Sequence, residues 1–263
     1  MKVIVKIVRY VLQDVYRGKW LIIYGLLFWL MTDLLMRFGG NSSQVFMSLI
    51  NVILIFIPLI SVIFGTIYLY NSREFIEMLL SQPVNRKHLF FGMYIGIVIP
   101  LISGFVAGIG IPLLYSGIQS RADIIPLSIL LGTGIVLTMI FLAMAFLISL
   151  GTEDRAKGLG YAILIWLFFT VIYDGLILIL IYLYSEYPLE HATIIMSLLN
   201  PIDLGRLLIL MQFDIAAMLG YTGAVFQKFF GSLYGVLISG SMMLIWITVP
   251  LYSGLRIFLR KDF

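Results

Sequence analysis

The chain has 263 residues, of which 62% are hydrophobic and only 11% are charged, and its mean hydropathy is +1.09. A soluble domain of this length cannot bury so much apolar surface, so the composition indicates a membrane protein. Cysteine is absent, which excludes disulfides, thiolate metal sites and thiol nucleophiles, and the net charge of +4 matters only through where the cations lie.

Residues Met1–Lys19 have the pattern of an amphipathic helix. Polar side chains form one stripe at helical spacing, made of Lys2, Lys6, Arg9, Gln13 and Arg17. The opposite face is apolar and contains Ile4, Val8, Val11 and Val15. We expect an interfacial helix with its basic side toward lipid headgroups, rather than a signal peptide, because no small-residue cleavage site follows a short apolar core. A basic flank that only sets topology is the alternative.

Six long apolar runs follow, each close to or above the ~20 residues that cross ~30 Å of hydrocarbon. They are Trp20–Met36, Phe46–Tyr70, Leu89–Tyr115, Ile124–Leu150, Leu159–Tyr184 and Ser232–Leu255. The predicted fold is therefore an all-α polytopic membrane protein with six transmembrane helices. In the third run, Gly104, Gly108 and Gly110 predict a small-residue face for close helix contact.

The loop after the second run, residues 73–88, is a charged interruption with helical periodicity. One side would carry Glu74, Glu77 and Ser81, and the other side would carry Phe75, Ile76, Leu79 and Leu80. Pro83 should end this helix, and Asn85 should cap the next one. We expect a short helix lying flat, apolar side to the bilayer and acidic side to the cytoplasm. That arrangement suits a lever pushed from outside the membrane, and an ordinary solvated loop is the alternative.

Asp174 lies about fifteen residues into the fifth run, roughly 22 Å from its cytoplasmic end at 1.5 Å per residue. A carboxylate at membrane depth usually faces a cavity or a partner, and Arg206 is the nearest plausible cation. Two interpretations stay open, namely a polar group on a transport path and a structural pair that pins an external helix.

The connection 185–231 is too long and too patterned for a simple turn. Asn200, Pro201 and Asp203 form a strong helix start, with a cap, a proline at the first position and an acid in the first turn. That helix should reach about Met211, and Asp214 is placed to cap another. We expect both helices to lie on the membrane or re-enter its outer leaflet.

The cations predict the orientation. If both termini are cytoplasmic, 13 of the 17 Lys and Arg residues are inside, and the exceptions are Arg37, Arg121, Arg206 and Lys228. Positively charged segments favour the cytoplasmic side, so an N-in, C-in topology is expected.

Three stretches together resemble the ABC-2-type permeases of ABC transporters, most of all the NosY-type branch that serves nitrous oxide reductase maturation. The first contains Glu74, Leu79-Leu80, Pro83-Val84-x-Arg86 and Gly92-x-x-x-Gly96. The second combines Ser149 and Glu153–Gly160 with Trp166 and Tyr173-Asp174, and the third is Asn200–Leu208. Met93 departs from the pattern, because such permeases often have Lys there.

The resemblance implies one ABC-2-type domain over 1–263, two copies per transporter, and two separate ABC ATPase subunits that bind ATP and Mg. The chain itself has no G-x-x-x-x-G-K-[ST] motif to cradle ATP phosphates, so ATP hydrolysis is expected on the separate subunit. No catalytic, cofactor or metal site is expected on this chain. The loop 73–88 would then be a coupling helix seated on the ATPase. Its contact residues are expected to be Glu74, Phe75, Glu77, Met78, Leu79, Pro83 and Arg86.

The same resemblance implies a sulfur- or copper-related cargo for copper-cluster assembly, moved across the bacterial cytoplasmic membrane. The segment 185–231 would form a lid and a dock for an extracytoplasmic, periplasmic protein, through Asn200, Pro201, Asp203 and Asp214. Outer methionines are possible Cu(I) ligands, but methionine is more often apolar packing.

Other classes have weaker support in the sequence. An ABC-2 exporter of a lipid, drug or polysaccharide would share the same fold and loops. A secondary transporter usually has several ionisable groups within the membrane, whereas only Asp174 and Asp33 qualify here. A membrane enzyme would show motifs such as H-E-x-x-H or G-x-S-x-G, which are absent, and the two histidines, His88 and His191, lie at membrane edges. Nothing points to nucleic acid.

Overall fold

The computed structural model describes residues 2–39, 42–115, 121–184, 190–210 and 233–261, and within them the regular structure is helical. In chain order the helices are α1 (Lys2–Arg17), α2 (Lys19–Phe38), α3 (Ser42–Asn71), α4 (Arg73–Leu80), α5 (Arg86–Tyr115), α6 (Arg121–Gly151), α7 (Arg155–Leu167), a π-helical segment (Phe168–Ile172), α8 (Tyr173–Leu183), α9 (Glu190–Leu199), α10 (Pro201–Leu210) and α11 (Leu233–Arg260).

Six of these helical stretches are long and apolar enough to cross a membrane, counted over the described ranges, which confirms the six predicted spans. They are Lys19–Phe38, Gln44–Asn71, Arg86–Tyr115, Ile125–Gly151, Arg155–Leu183 and Tyr234–Arg260. The fifth span is composite, because the π-helical segment continues α7 into α8 without a break in the chain of helical turns.

The first half of α5 packs against α1 through glycines. Added Cβ atoms at Gly92 and Gly96 would lie 2.8 Å from the Ile7 Cγ2 atom and 2.6 Å from the Val11 Cβ atom, so only glycine permits this distance. Ile7, Val11 and Val15 are buried there. α1 is the amphipathic helix predicted from the sequence, but its apolar face packs on protein where lipid contact was expected.

The second half of α5 holds α2 in the same way. A Cβ at Gly108 would lie 2.7 Å from the Gly25 carbonyl oxygen, and Gly104 lies against Tyr24. At the far end, the Tyr115 hydroxyl donates to Asp33 over 2.7 Å. The contact face predicted for the third run therefore includes Gly104 and Gly108. It does not include Gly110, where an added Cβ atom would lie more than 4 Å from any atom of another described helix.

α6 is the centre of the bundle, and it packs against α3, α11, α5 and α10. Its residues from Ile140 to Phe146 are all buried. Helices α9 and α10 meet at a bend of 113° and rest on α6 and α11, and together they are apolar enough for either a broken span or a re-entrant loop. The fifth span lies at the periphery and exposes large apolar side chains, among them Leu178 at 68% and Tyr182 at 82%.

We expect Gly96→Val to destabilise the protein by about 1–3 kcal/mol, because the added methyl groups overlap Val11 and force α1 away from α5. Gly110→Val is the matched control, since it makes the same change on the same helix in open space. The thermal unfolding midpoint of the detergent-solubilised protein measures the difference. Equal midpoints for both variants would show that α1 is not held by this contact.

Candidate coupling helix and external helix cluster

α4 exposes an acidic face, and its opposite, apolar face packs against the rest of the protein. Ile76 is buried at 2% exposure, and the Phe75 ring stacks on Tyr10 of α1 with a centroid distance of 4.6 Å and an interplanar angle of 15°. Glu74 and Glu77 are exposed. The helix thus exists where the sequence predicted it. Its apolar side, however, packs on α1 and the bundle, which corrects the expected contact of that side with the bilayer.

Among the remaining residues of the loop, some are exposed to the surroundings, and others pack against the core or cap a helix. Met78 is 53% exposed on the same outer side as the acids, and Pro83 is exposed just after the helix. Leu79 packs partly buried against the core. Asn85 caps α5 as predicted, because the Lys87 backbone N–H donates to its side-chain oxygen over 3.0 Å.

Arg86 has a role that its position in the sequence does not reveal. Its Nη1 atom donates to the Leu259 carbonyl over 3.1 Å and to the Lys261 carbonyl over 2.9 Å. Lys261 in turn donates from Nζ to the Leu150 carbonyl over 3.1 Å. Helix C-termini carry unpaired carbonyls that attract cations, so these two residues join the ends of α11, α6 and α5. Burial lowers the pKa of Lys261.

The second predicted cytoplasmic loop, residues 152–154 between α6 and α7, contacts the same end of the bundle. Arg73 of α4 donates to the Glu153 carbonyl over 3.4 Å, and the Tyr70 hydroxyl donates to the Thr152 carbonyl over 3.0 Å. Gly158 fits closely against the Tyr70 ring. The N-terminal helix, both predicted cytoplasmic loops and the C-terminal end thus meet around α4. A displacement of α4 would act on α1 through Phe75 and on Glu153 through Arg73, and it would reach α11 only through Arg86 of α5.

A second cluster of charged residues joins the fifth span to the external helices. Arg206 Nη1 lies 3.0 Å from Asp174 Oδ2 and 3.1 Å from Asp203 Oδ1. The Asp174 and Arg206 side chains are about one-third exposed, whereas the Asp203 side chain is 8% exposed. The structure therefore brings together the two residues that the sequence suggested as partners and adds a third that the sequence assigned elsewhere.

Asn200 connects this cluster to the π-helical segment. It is completely buried, and its side-chain oxygen caps α10 by accepting from the Ile202 N–H over 3.0 Å. Its amide donates to Asp203 and to the Phe169 carbonyl, both over 2.9 Å. A π-helical turn interrupts the regular backbone hydrogen bonds of an α-helix. Here the Phe169 carbonyl of the π-helical segment accepts a hydrogen bond from Asn200.

These contacts involve the residues predicted for the docking surface. Asn200, Pro201 and Asp203 are buried, and the two polar side chains make internal hydrogen bonds. Asp214 lies outside the described residues. The helix that Asn200 begins is described as far as Leu210, and its predicted end near Met211 lies outside the described residues.

We expect Asn200→Ala to cost about 2–4 kcal/mol of stability, about 1 from the cap and the rest from buried groups left unpaired. Asn85→Ala is the matched control, because Asn85 is an exposed cap and should lose only about 1 kcal/mol. Thermal unfolding of both variants tests this, and a loss at Asn200 no greater than at Asn85 would contradict the buried network.

Comparison with known proteins identifies the family. A family model described as "ABC-2 family transporter protein" matches residues 6–263. The chain is 26% identical to the "Probable ABC transporter permease protein NosY" of Pseudomonas aeruginosa, over 82% of this chain and 85% of that protein. It is 25% identical to the protein of the same description from Stutzerimonas stutzeri, over 97% of both chains. This multi-pass membrane protein belongs to the ABC-2 transporter family, as a permease of an ABC transporter.

Proposed function

We propose that this chain is the transmembrane subunit of a NosY-type transporter, in which two copies are driven by two separate ATPase subunits. Its cargo would be a sulfur- or copper-related species needed for copper-cluster assembly in nitrous oxide reductase. The family supports the ATPase partner, the two relatives support the NosY-type assignment, and the cargo class is what the resemblance to that branch implies. The observation that carries the coupling role is α4, which exposes two carboxylates while its opposite face is locked into the bundle.

The proposed location of the protein is the bacterial cytoplasmic membrane, with both termini in the cytoplasm. The segments assigned to the cytoplasm converge at one end of the bundle, through Phe75 on Tyr10, Arg73 on the second loop and Arg86 on the C-terminal end. These same segments carry most of the cations, in agreement with the positive-inside rule.

In this proposal Glu74, Glu77 and Met78 contact the ATPase, and Pro83 lies at the edge of that contact. Phe75 and Leu79 pass a displacement to the bundle, and Arg86 carries it to α11. ATP-driven closure of the ATPases would then move α1, α5 and α11 together, as in other rigid-body domain movements.

We further propose that Asp174 and Arg206 form a structural latch between the fifth span and α10, since Arg206 bridges carboxylates from two different elements. The dock for an extracytoplasmic protein is proposed for the segment 185–231, through surface other than the buried Asn200, Pro201 and Asp203. An ABC-2 exporter of another substrate is the competing proposal. Stimulation of the purified complex's ATPase by each candidate cargo decides between them.

The double change Glu74→Lys with Glu77→Lys should weaken ATPase association about tenfold or more, because complementary charges at an interface become like charges. Co-purification of the ATPase and its stimulation by the permease are measured. Glu153→Lys controls for added positive charge at the same end of the bundle. If the double variant binds and stimulates like wild type, the acidic face of α4 is only solvated surface.

The latch predicts an order of stabilities. Asp174→Asn should cost about 0.5 kcal/mol, because Arg206 keeps Asp203 and the pair is partly exposed. Arg206→Gln should cost more, since it leaves two neighbouring carboxylates, one of them buried. Adding Asp174→Asn to Arg206→Gln should recover part of that loss. Transport abolished by Asp174→Asn at an unchanged unfolding midpoint would instead place Asp174 on the cargo path.

A further inference from the structure

A cavity of about 700 Å³ lies between the α1–α2 bend and α3, at the end of the bundle that contains α4. Its walls are apolar and include Leu27, Ile63 and Leu101. Ligand cavities in proteins commonly have volumes of about 300–1,000 Å³ and a few polar groups that orient the ligand. This cavity is separate from α4 and from the Asp174 cluster.

The charges at the cavity's rim are one anion and one cation. Asp14 accepts a hydrogen bond from the Tyr68 hydroxyl over 2.9 Å through Oδ2, and its side chain is otherwise exposed. Arg155 is exposed and has no ion pair with any residue in the described part of the chain. Both line the cavity, but they do not form a salt bridge with each other. The rim therefore complements a headgroup that carries separate negative and positive charges.

The wall contains a polar group that lacks a protein partner. Tyr24 lines the cavity, is 4% exposed, and its hydroxyl makes no hydrogen bond with the described residues. A buried hydroxyl without a partner is unfavourable, so natural proteins rarely leave one. The hydroxyl oxygen is itself enclosed, so what Tyr24 offers to a ligand in the cavity is its ring rather than this oxygen.

From these features we propose that the cavity binds one aminophospholipid from the surrounding leaflet, with phosphatidylethanolamine as the matching chemistry. Its phosphate pairs with Arg155, its primary ammonium pairs with Asp14, and an acyl chain fills the space between the apolar walls. Arginine binds phosphate strongly because its N–H groups are charged and arranged as a fork. The occupant is membrane lipid, and neither the ATPase contact nor the identity of the cargo enters this inference.

The lipid would complete the packing of the first span. α2 contacts α5 closely through Gly104 and Gly108, whereas the cavity separates it from the α4 end of α3. An acyl chain in this space supports α2 on its second side. Because Tyr10 and Asp14 lie on the same helix, the bound headgroup would also hold the part of α1 on which α4 rests.

The test uses the purified complete transporter, stripped of lipid and titrated with phosphatidylethanolamine, phosphatidylcholine or phosphatidylglycerol, with bound lipid counted by native mass spectrometry. Wild type should bind phosphatidylethanolamine most tightly, because the quaternary ammonium of phosphatidylcholine cannot donate a hydrogen bond and phosphatidylglycerol lacks a cation. Arg155→Gln should weaken its binding about tenfold. Lys157→Gln, which removes the same charge from the same helix outside the cavity, should leave it unchanged.

Three further variants make the site specific. Ile63→Trp, which fills the cavity, should abolish the tight site, whereas Ile99→Trp on an exposed position of α5 should not. Asp14→Asn should remove the preference for phosphatidylethanolamine over phosphatidylcholine, because it removes the carboxylate that pairs with the ammonium. Binding that survives Ile63→Trp and Arg155→Gln, or a preference for phosphatidylglycerol, would overturn the proposal. So would an Ile63→Trp variant that retains its lipid and separates two copies of the chain, because a second copy would then occupy the cavity.

Discussion

The close approach of α1 and α2 to α5 is the contact on which the rest of the structure depends. Gly92, Gly96, Gly104 and Gly108 lie along α5 and remove the side chains that would keep the neighbouring helices apart. Lipid tails are as apolar as leucine, so helices in a membrane associate through such close packing rather than through hydrophobic burial. The contact keeps α1 packed along α5, and α1 in turn provides Tyr10, on whose ring Phe75 of α4 stacks.

Free backbone carbonyls are used in a similar way at the two ends of the bundle. At the α4 end, Arg86 and Lys261 donate to the last carbonyls of α11 and α6. At the other end, Asn200 donates to Phe169, and the Tyr173 hydroxyl donates to the Met196 carbonyl over 2.7 Å. An unpaired carbonyl is costly in hydrocarbon, so each of these bonds also decides which helix ends stay together. Through Arg73 and Asn200, α4 and α10 are thereby connected to the bundle by the same kind of bond.

The helices at the periphery of the bundle are less completely packed than the helix at its centre. α6 is enclosed by other helices, while the fifth span exposes apolar side chains along its length and the α1–α2 bend leaves a cavity beside α3. Such apolar surfaces within a membrane require lipid or another chain as a neighbour. A permease that changes shape during transport needs surfaces of this kind, because tightly packed interfaces resist sliding.

The sequence by itself determined the six spans, α4, and the caps at Asn85 and Asn200, because each follows from hydropathy or from a pattern within one helical turn. The Asp174–Arg206 pair was also predictable, since a carboxylate within an apolar span needs a partner and few were available. Only the tertiary structure decided where the apolar face of α1 packs, which carbonyls Arg86 binds, and that Asn200 and Asp203 point inward. These depend on contacts between residues up to 175 positions apart, which no local pattern records. Gly104, Gly108 and Gly110 show the same limit, because identical residues on one helix differ only in what lies opposite them.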